Sequence, residues 1–274
     1  MKRILNYVGS KWNLAEWIVS HMPEHSVYLE PFFGSGAVLF NKAPVAIETV
    51  NDVDGNIVNL FKVIRDRPQE LARAVALTPY ARQEYCQAYE KLNVQLDELE
   101  RARLFLVRCW MGRGGKTSDR TGWRHNIDAT TINAVPDWLE VRNTITQATQ
   151  RLQRVQIENQ DALPLIERYN RKDCLIYADP PYLLSTRTKR HYANEMSESK
   201  HIELLQVLKK HQGYVLLSGY DSAMYNELLS DWHKVSKMTT TDAANLKQEV
   251  LWINPKAANQ CKQLDLFSLD AITK

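Results

Sequence analysis

The sequence predicts an α/β fold: a parallel sheet whose strands end on polar residues, interrupted by a long helical stretch. Three observations predict it. Short apolar runs of strand length occur early and late in the chain and close on an acid, as in Val27-Tyr28-Leu29-Glu30, 46–52, 155–161 and Leu175-Ile176-Tyr177-Ala178-Asp179. A glycine-rich turn, Phe33-Gly34-Ser35-Gly36, lies between the first strand and a helical pattern that starts at Ala37. From Gly55 to about Arg154 the strand texture gives way to helical periodicity alone.

Taken in order, residues 11–22 predict a helix with Trp12, Ala15, Ile18, Val19 and Met22 on one face. Strand, glycine turn, helix, second strand and acid follow, which is the opening of a nucleotide-binding α/β unit. In the helical stretch, apolar residues recur at Ile57, Leu60, Phe61 and Ile64, at Leu92, Leu96 and Leu99, and at Leu104 and Val107. A basic, glycine-rich loop over 111–118 breaks it, and a further helix is expected over 136–154. Strands are expected again over 155–161, 175–178, 213–218 and 249–254, with helices over 200–210 and 224–229. The tail after Asn254 has only weak patterning.

Composition bounds the function. The chain has 274 residues, 44% hydrophobic and 24% charged, the range of a soluble globular protein with ample core. A net charge of +3 is compatible with nucleic acid without requiring it. Cys86, Cys109, Cys174 and Cys261 are far apart and form no CxxC pair, so neither a disulfide framework nor structural zinc is expected. The histidines are scattered, and no metal constellation is visible. Lys11, Asn13 and Glu16 interrupt any export signal, and no stretch is apolar enough to span a membrane, so a cytoplasmic protein is expected.

The chemistry concentrates where strands end. After Leu175-Ile176-Tyr177-Ala178 come Asp179-Pro180-Pro181-Tyr182. Two prolines cannot continue a ladder, so the segment leaves the sheet with a carboxylate, free carbonyls and an aromatic ring beyond a strand end, where ligands of open α/β sheets bind. That set suits a planar amino group: acceptors for its N–H bonds and a face for its ring. Gly34 and Gly36 allow the backbone to approach a ligand closely. Asp52 follows Gly36 at a spacing resembling that of ribose-binding carboxylates, and it also reads as a helix N-cap. Asp161 can accept from an adenine amino group or cap a helix.

In order and spacing these pieces resemble the Dam-like (D12 class) adenine-N6 DNA methyltransferases, which depend on S-adenosyl-L-methionine. The resemblance rests on Tyr7-Val8-Gly9-Ser10-Lys11, Glu30 through Val38, Asn51-Asp52 followed by Asn56 through Leu60, Asp179 through Tyr182, and Val250 through Asn254. It covers nearly the whole chain. It implies a Rossmann-like methyltransferase sheet over 1–56 and 157–274, with a helical target-recognition insert over 57–156. It further implies that Tyr7 and Lys11 flank the cofactor, that Phe33, Gly34 and Gly36 line its methionine and ribose side, and that Asp52 binds the ribose hydroxyls. Asp161 would lie near the cofactor adenine. Asp179 and the Pro180 carbonyl would accept from the target amino group, and Tyr182 would stack on the flipped base.

A basic stretch suits double-stranded DNA. Arg101, Arg103, Arg108, Arg113, Lys116, Arg120 and Arg124 face one acid, Asp119, and interleave with Trp110, Met111 and Trp123. In the resembled family this region reads the target, which places Trp110, Arg113, Lys116, Arg120 and Arg124 against DNA. A second basic loop after the tetrapeptide, with Arg187, Lys189 and Arg190, is a candidate for holding the extruded strand. The chain departs from GATC-specific members at Asn6, where they carry lysine, and at Ala162, where the family has phenylalanine. A different or relaxed sequence preference is therefore open, and adenine packing is expected to differ. Methylation of an RNA base or a protein glutamine, and a catalytically silent DNA-binding relative, are the alternatives. Asp179, where glutamine-directed enzymes usually carry asparagine, favours a base. A bacterial or phage origin and a monomeric or weakly self-associating state are expected.

Overall fold

The computed structural model describes residues 1–115, 117, 119–128, 133–184, 192, 194–240 and 246–260. The chain runs through α1 (Ala15–Val19), β1 (Val27–Glu30), α2 (Ala37–Asn41) and β2 (Ile47–Asn51). Five helices follow: α3 (Gly55–Asp66), α4 (Pro68–Ala76), α5 (Arg82–Glu90), α6 (Glu98–Met111) and α7 (Val135–Leu152). Then come β3 (Val155–Glu158), α8 (Ala162–Arg168), β4 (Cys174–Ala178), α9 (Glu198–Lys209), β5 (Tyr214–Gly219), α10 (Ala223–Leu228), β6 (His233–Thr240) and β7 (Leu246–Ile253).

The seven strands form one sheet in the order β3-β2-β1-β4-β5-β7-β6. β1 to β5 pair in parallel, while β7 is antiparallel to both β5 and β6. The chain order turns back between β1 and β4, so the crevice beyond their carboxyl ends is the topological switch point. This is the α/β sheet the sequence predicts, with one strand added. β6 is not apparent in the sequence because it is an edge strand whose described side chains are mostly exposed, with no apolar alternation to mark it. Lys234 and Lys237 on it blunt the edge against further pairing.

Every residue of β4 is buried, as the unbroken apolar run predicts for a strand covered on both faces. Its side chains alternate between two cores. Leu175 and Tyr177 join Tyr28, Val50 and Leu216 in a core completed by α3, α4, α6 and α7. Cys174, Ile176 and Ala178 join Val27, Leu29 and Trp252 in a second core, under α8, α9 and α10. The helices α3 to α7 thus share one core with a sheet face.

Local chemistry starts the helices. Asp54, Asp97, Asp161 and Ser197 each accept a backbone N–H of the following helix, at α3, α6, α8 and α9. α7 docks on the sheet through a buried charge cluster. Glu48 of β2 accepts from Lys42 Nζ at 2.6 Å and from both terminal nitrogens of Arg151 at the end of α7. Burial pushes Glu48 up, but the guanidinium and ammonium beside it hold its carboxyl below the usual range.

Candidate active site

A cavity of about 270 Å³ opens at the switch point. The glycine turn after β1 supplies one wall, with Phe33, Gly34 and Ser35, and Asp52 and Val53 follow from the end of β2. Asp161, Ala162 and Leu163 at the start of α8, Asp179 after β4 and the segment from Tyr7 to Lys11 extend the lining. Tyr192, Glu195 and Met196 also line it.

Asn51, at the end of β2, stitches three strand ends together. Its side-chain amide donates to the Pro31 and Gln160 carbonyls at 3.0 and 3.1 Å, and its oxygen accepts from the Gln160 N–H at 3.0 Å. Gly36 has a φ of 69°, and a Cβ there would come within 2.6 Å of the Phe33 ring. The turn therefore folds tightly over Phe33, which packs edge-on to Phe61 at 4.7 Å between ring centroids. Asp52 sets the height of the turn: one carboxylate oxygen accepts from the Gly34 N–H and the other from the Asp54 N–H, each at 2.9 Å. Burial still pushes its carboxyl up to about 7 against these N–H bonds. Asp161 is exposed, lines the cavity and caps α8 through the Leu163 N–H at 2.9 Å, so capping and lining coincide.

Glu30 is a lining residue with no role expected from the sequence. It is buried at the end of β1 and accepts from the Tyr28 hydroxyl at 2.8 Å. Burial pushes its carboxyl up to about 8, with Asp179 adding to the rise. Val53 and Leu163 supply apolar walls near Asp161, where Ala162 leaves no aromatic ring. A hydrophobic residue one place beyond the expected position was the available signal for Leu163.

The opposite wall is charged. Lys11 is buried, with Nζ 3.2 Å from Asp179 Oδ2 and donating to the Gly9 carbonyl at 2.9 Å. Burial pushes the ammonium down, but Asp179 and Glu249 more than offset this and raise it overall. Asp179 is itself raised, chiefly by burial, with Lys11 pulling the other way. Its second oxygen, Oδ1, is buried and has no hydrogen-bond partner. A buried lone acceptor costs about 1–3 kcal/mol, so it marks a place built for a donor.

Tyr182 has a neighbour the sequence did not indicate. The ring is buried, the Lys11 ammonium lies 4.8 Å from its centroid, and Tyr220 packs edge-on at 4.6 Å. Its hydroxyl donates to Glu249 Oε2 at 2.8 Å. One face of the ring thus carries an ammonium ion in the ligand-free protein.

A separate basic feature follows α6. Gly112 and Trp123 form an antiparallel bridge, flanked by Arg113 N–H to the Gly122 carbonyl at 3.0 Å and Arg124 N–H to the Met111 carbonyl at 2.7 Å. The hairpin is pinned from below by Tyr80, whose hydroxyl donates to the Arg124 carbonyl at 2.7 Å, and by Tyr85, whose hydroxyl donates to the Thr121 carbonyl. Arg113 and Arg120 are exposed and Arg124 is half-buried. Trp110 is a correction: it is 3% exposed inside the first core, and its indole N–H donates to the Ile4 carbonyl at 3.0 Å. α6 continues through Met111 with its apolar face inward, so Trp110 anchors the hairpin and cannot reach a duplex. Lys116, Arg187, Lys189 and Arg190 lie outside the described residues. At its base the hairpin meets the cavity wall, since the Val8 N–H donates to the Gly115 carbonyl at 3.2 Å.

Among the described residues no group of three or more His, Cys, Asp or Glu side chains is disposed to hold a metal ion, and no helix is long and apolar enough to cross a membrane. A family model described as D12 class N6 adenine-specific DNA methyltransferase matches residues 7–241. A DNA adenine methylase of Salmonella typhi is 25% identical over 253 residues, covering 86% of each chain. The type II methyltransferase M1.LlaDCHI of Lactococcus lactis subsp. cremoris is 23% identical over 271 residues, covering 89% of this chain and 90% of its own. A DNA N-6-adenine-methyltransferase of Escherichia phage P1 is 30% identical over 118 residues, covering 40% of this chain and 16% of its own. The solved structure of a methyltransferase from Geobacter sulfurreducens aligns with 91% of this chain and 80% of its own, with a TM-score of 0.38 and 8% identity.

Proposed function

We propose, starting from a chain that belongs to the D12 class N6 adenine-specific DNA methyltransferases, that it methylates the N6 amino group of an adenine extruded from double-stranded DNA, with S-adenosyl-L-methionine as donor. One observation carries the reading: Asp179 Oδ1 is a buried acceptor without a partner at the carboxyl end of a central strand. An exocyclic amino group supplies the donor it lacks.

The residues around the cavity fit the cofactor. Asp52, raised toward neutrality with its oxygens at a glycine turn, suits hydroxyls of a ribose. Glu30, a buried carboxyl, suits a cationic amino group. Tyr7, Lys11, Phe33, Gly34 and Asp161 line the cavity and would complete the holding set, with Val53 and Leu163 against the adenine, while Gly36 shapes the turn against the Phe33 ring and is not a lining residue. When bound, S-adenosylmethionine supplies a methyl group activated by its sulfonium.

The chain's own residues then do the positioning. An adenine amino nitrogen is a weak nucleophile because its lone pair is delocalised into the ring. Asp179 Oδ1 and the Pro180 carbonyl would accept its two N–H bonds and favour a pyramidal nitrogen with its lone pair directed at the methyl. Lys11 keeps Asp179 Oδ2 occupied, which leaves Oδ1 for the base. The base would stack on Tyr182 through the ring face that the Lys11 ammonium does not occupy. Extrusion costs a few kcal/mol of lost stacking, offset in part by these contacts.

The hairpin would face DNA. Arg113, Arg120 and Arg124 would neutralise phosphates or read guanine, and Ile127, 96% exposed just beyond them, suits an apolar wedge between base steps. Lys116 and the basic loop with Arg187, Lys189 and Arg190 remain part of this proposal on sequence grounds. Replacing Arg113 and Arg120 together by alanine is expected to weaken duplex affinity at least about tenfold at moderate salt. The log–log salt slope should become shallower by about one for each phosphate no longer neutralised. Cofactor affinity should hold. Anisotropy titrations across salt check this, and an unchanged slope would move the DNA elsewhere.

The test of the function is incubation with labelled S-adenosylmethionine and unmethylated genomic DNA, followed by mapping of N6-methyladenine by sequencing. DNA that stays unlabelled while the protein binds the cofactor would overturn the proposal.

A further inference from the structure

We propose that Glu249 is a positioning residue for methyl transfer, which acts through the Tyr182 hydroxyl and the Lys11 ammonium to hold Asp179 with its Oδ1 free of hydrogen-bond partners. This deepens the reading of Asp179 given above and rests on it. Glu249 sits on β7, the antiparallel strand next to β5, and it is buried. A buried carboxylate is rare unless a partner holds it, and here the Tyr182 hydroxyl donates to it at 2.8 Å.

The contacts form a chain. Glu249 fixes the position of the hydroxyl end of the Tyr182 ring. The ring carries the Lys11 ammonium on one face, 4.8 Å from its centroid, with Tyr220 edge-on at 4.6 Å. Lys11 in turn binds Asp179 Oδ2 at 3.2 Å and the Gly9 carbonyl at 2.9 Å. With Lys11 held there, Asp179 Oδ2 is engaged and Oδ1 has no hydrogen-bond partner, while the Tyr182 hydroxyl also acts on the carboxyl and lowers it. Were the Tyr182 ring displaced, the ammonium would lose its π face and with it part of what fixes it on Asp179 Oδ2.

Charge supports the same assignment. Lys11 is a buried cation between two carboxylates, and both raise its proton affinity. The groups acting on Asp179 are Lys11 from the segment before α1, Glu30 from β1, Tyr177 from β4, Tyr182 from the turn after it, Tyr225 from α10 and Glu249 from β7. Glu249 adds to the rise of Asp179 that burial begins. A second carboxylate therefore serves two ends: it holds the ring, and it keeps Lys11 charged while Asp179 engages a donor.

Glu249→Gln keeps an acceptor for the Tyr182 hydroxyl and removes the charge. Its kcat–pH profile is expected to show the acid limb moved to lower pH by about half a unit or more, because Asp179 loses a neighbouring negative charge. The KM for S-adenosylmethionine should stay within about threefold of wild type. A role in packing alone would leave that limb in place. A second measurement needs no substrate: urea midpoints of Tyr182→Phe, Glu249→Ala and the double variant in the ligand-free protein. The double variant is expected to lose no more than the worse single variant, since both delete one hydrogen bond. An unmoved acid limb, or losses that add, overturns the proposal. Coupled midpoints in a protein that methylates no DNA would instead overturn the reading of Asp179 and leave the Glu249 contact standing.

Discussion

Replacing Asp179 by alanine is expected to lower kcat for methyl transfer by about 10²–10³-fold, the usual cost of removing one aligned partner from a reacting group. The effect belongs to kcat because the proposed bonds to the amino nitrogen strengthen as that nitrogen becomes pyramidal. Duplex affinity should hold within about threefold, since Asp179 lies in the cavity wall and the proposed DNA contacts lie on the hairpin. The wild-type rate should also fall with acid at a pH above the ordinary aspartate value of about 3.9. Burial raises the Asp179 carboxyl, and a protonated carboxyl loses an acceptor for the amino group. Single-turnover assays with labelled cofactor across pH measure both. Equal rates for wild type and Asp179→Ala would end the proposed mechanism.

Replacing Glu48 by glutamine is expected to destabilise the fold by about 3–5 kcal/mol, the cost of removing one partner from a buried charge cluster. The side chains of Lys42 and Glu48 are 2% and 1% exposed and that of Arg151 14%, so two cations would lose their shared counter-charge with little water to replace it. The carboxyl of Glu48 is held below its usual range in the folded protein. Its contribution is therefore present above the unfolded value of about 4.3 and is lost as pH falls through the lower folded value. Urea unfolding at pH 7 should show the full difference between wild type and Glu48→Gln, and the difference should shrink below about pH 4. A loss under about 1 kcal/mol at pH 7 would mean that water reaches the cluster.

β1, β2 and β4 were legible because each is largely buried, and an unbroken run such as Leu175-Ile176-Tyr177-Ala178 suits a strand covered on both faces and little else of that length. The glycine turn and the acids at strand ends were legible for a similarly local reason: a tight turn and a cap impose residue types on their neighbours. What stayed hidden depends on contacts between distant segments. The pairing of Lys11 with Asp179 follows from the N-terminal segment crossing the end of β4, and Glu249 reaches Tyr182 because β7 inserts beside β5. Neither spacing is written locally. Trp110 misled because a tryptophan before a glycine- and arginine-rich run resembles a binding loop, whereas α6 keeps its inward face through Met111. The type of Tyr182 predicts a ring to stack on and gives no sign of the ammonium over one of its faces.

On the proposed seating of DNA against the hairpin, the hydrogen bond between Val8 and Gly115 would have a kinetic consequence. Gly115 has a φ of 58°, and a Cβ there would come within 2.5 Å of the Asn6 carbonyl oxygen, so the hairpin base fits flush against the segment that carries Lys11. A duplex that seats the hairpin poorly would strain the same backbone that sets the Lys11–Asp179 pair. Discrimination between target and near-target sequences should then be expressed in turnover as well as in occupancy: a near-target site can be held at ordinary affinity and still be methylated slowly.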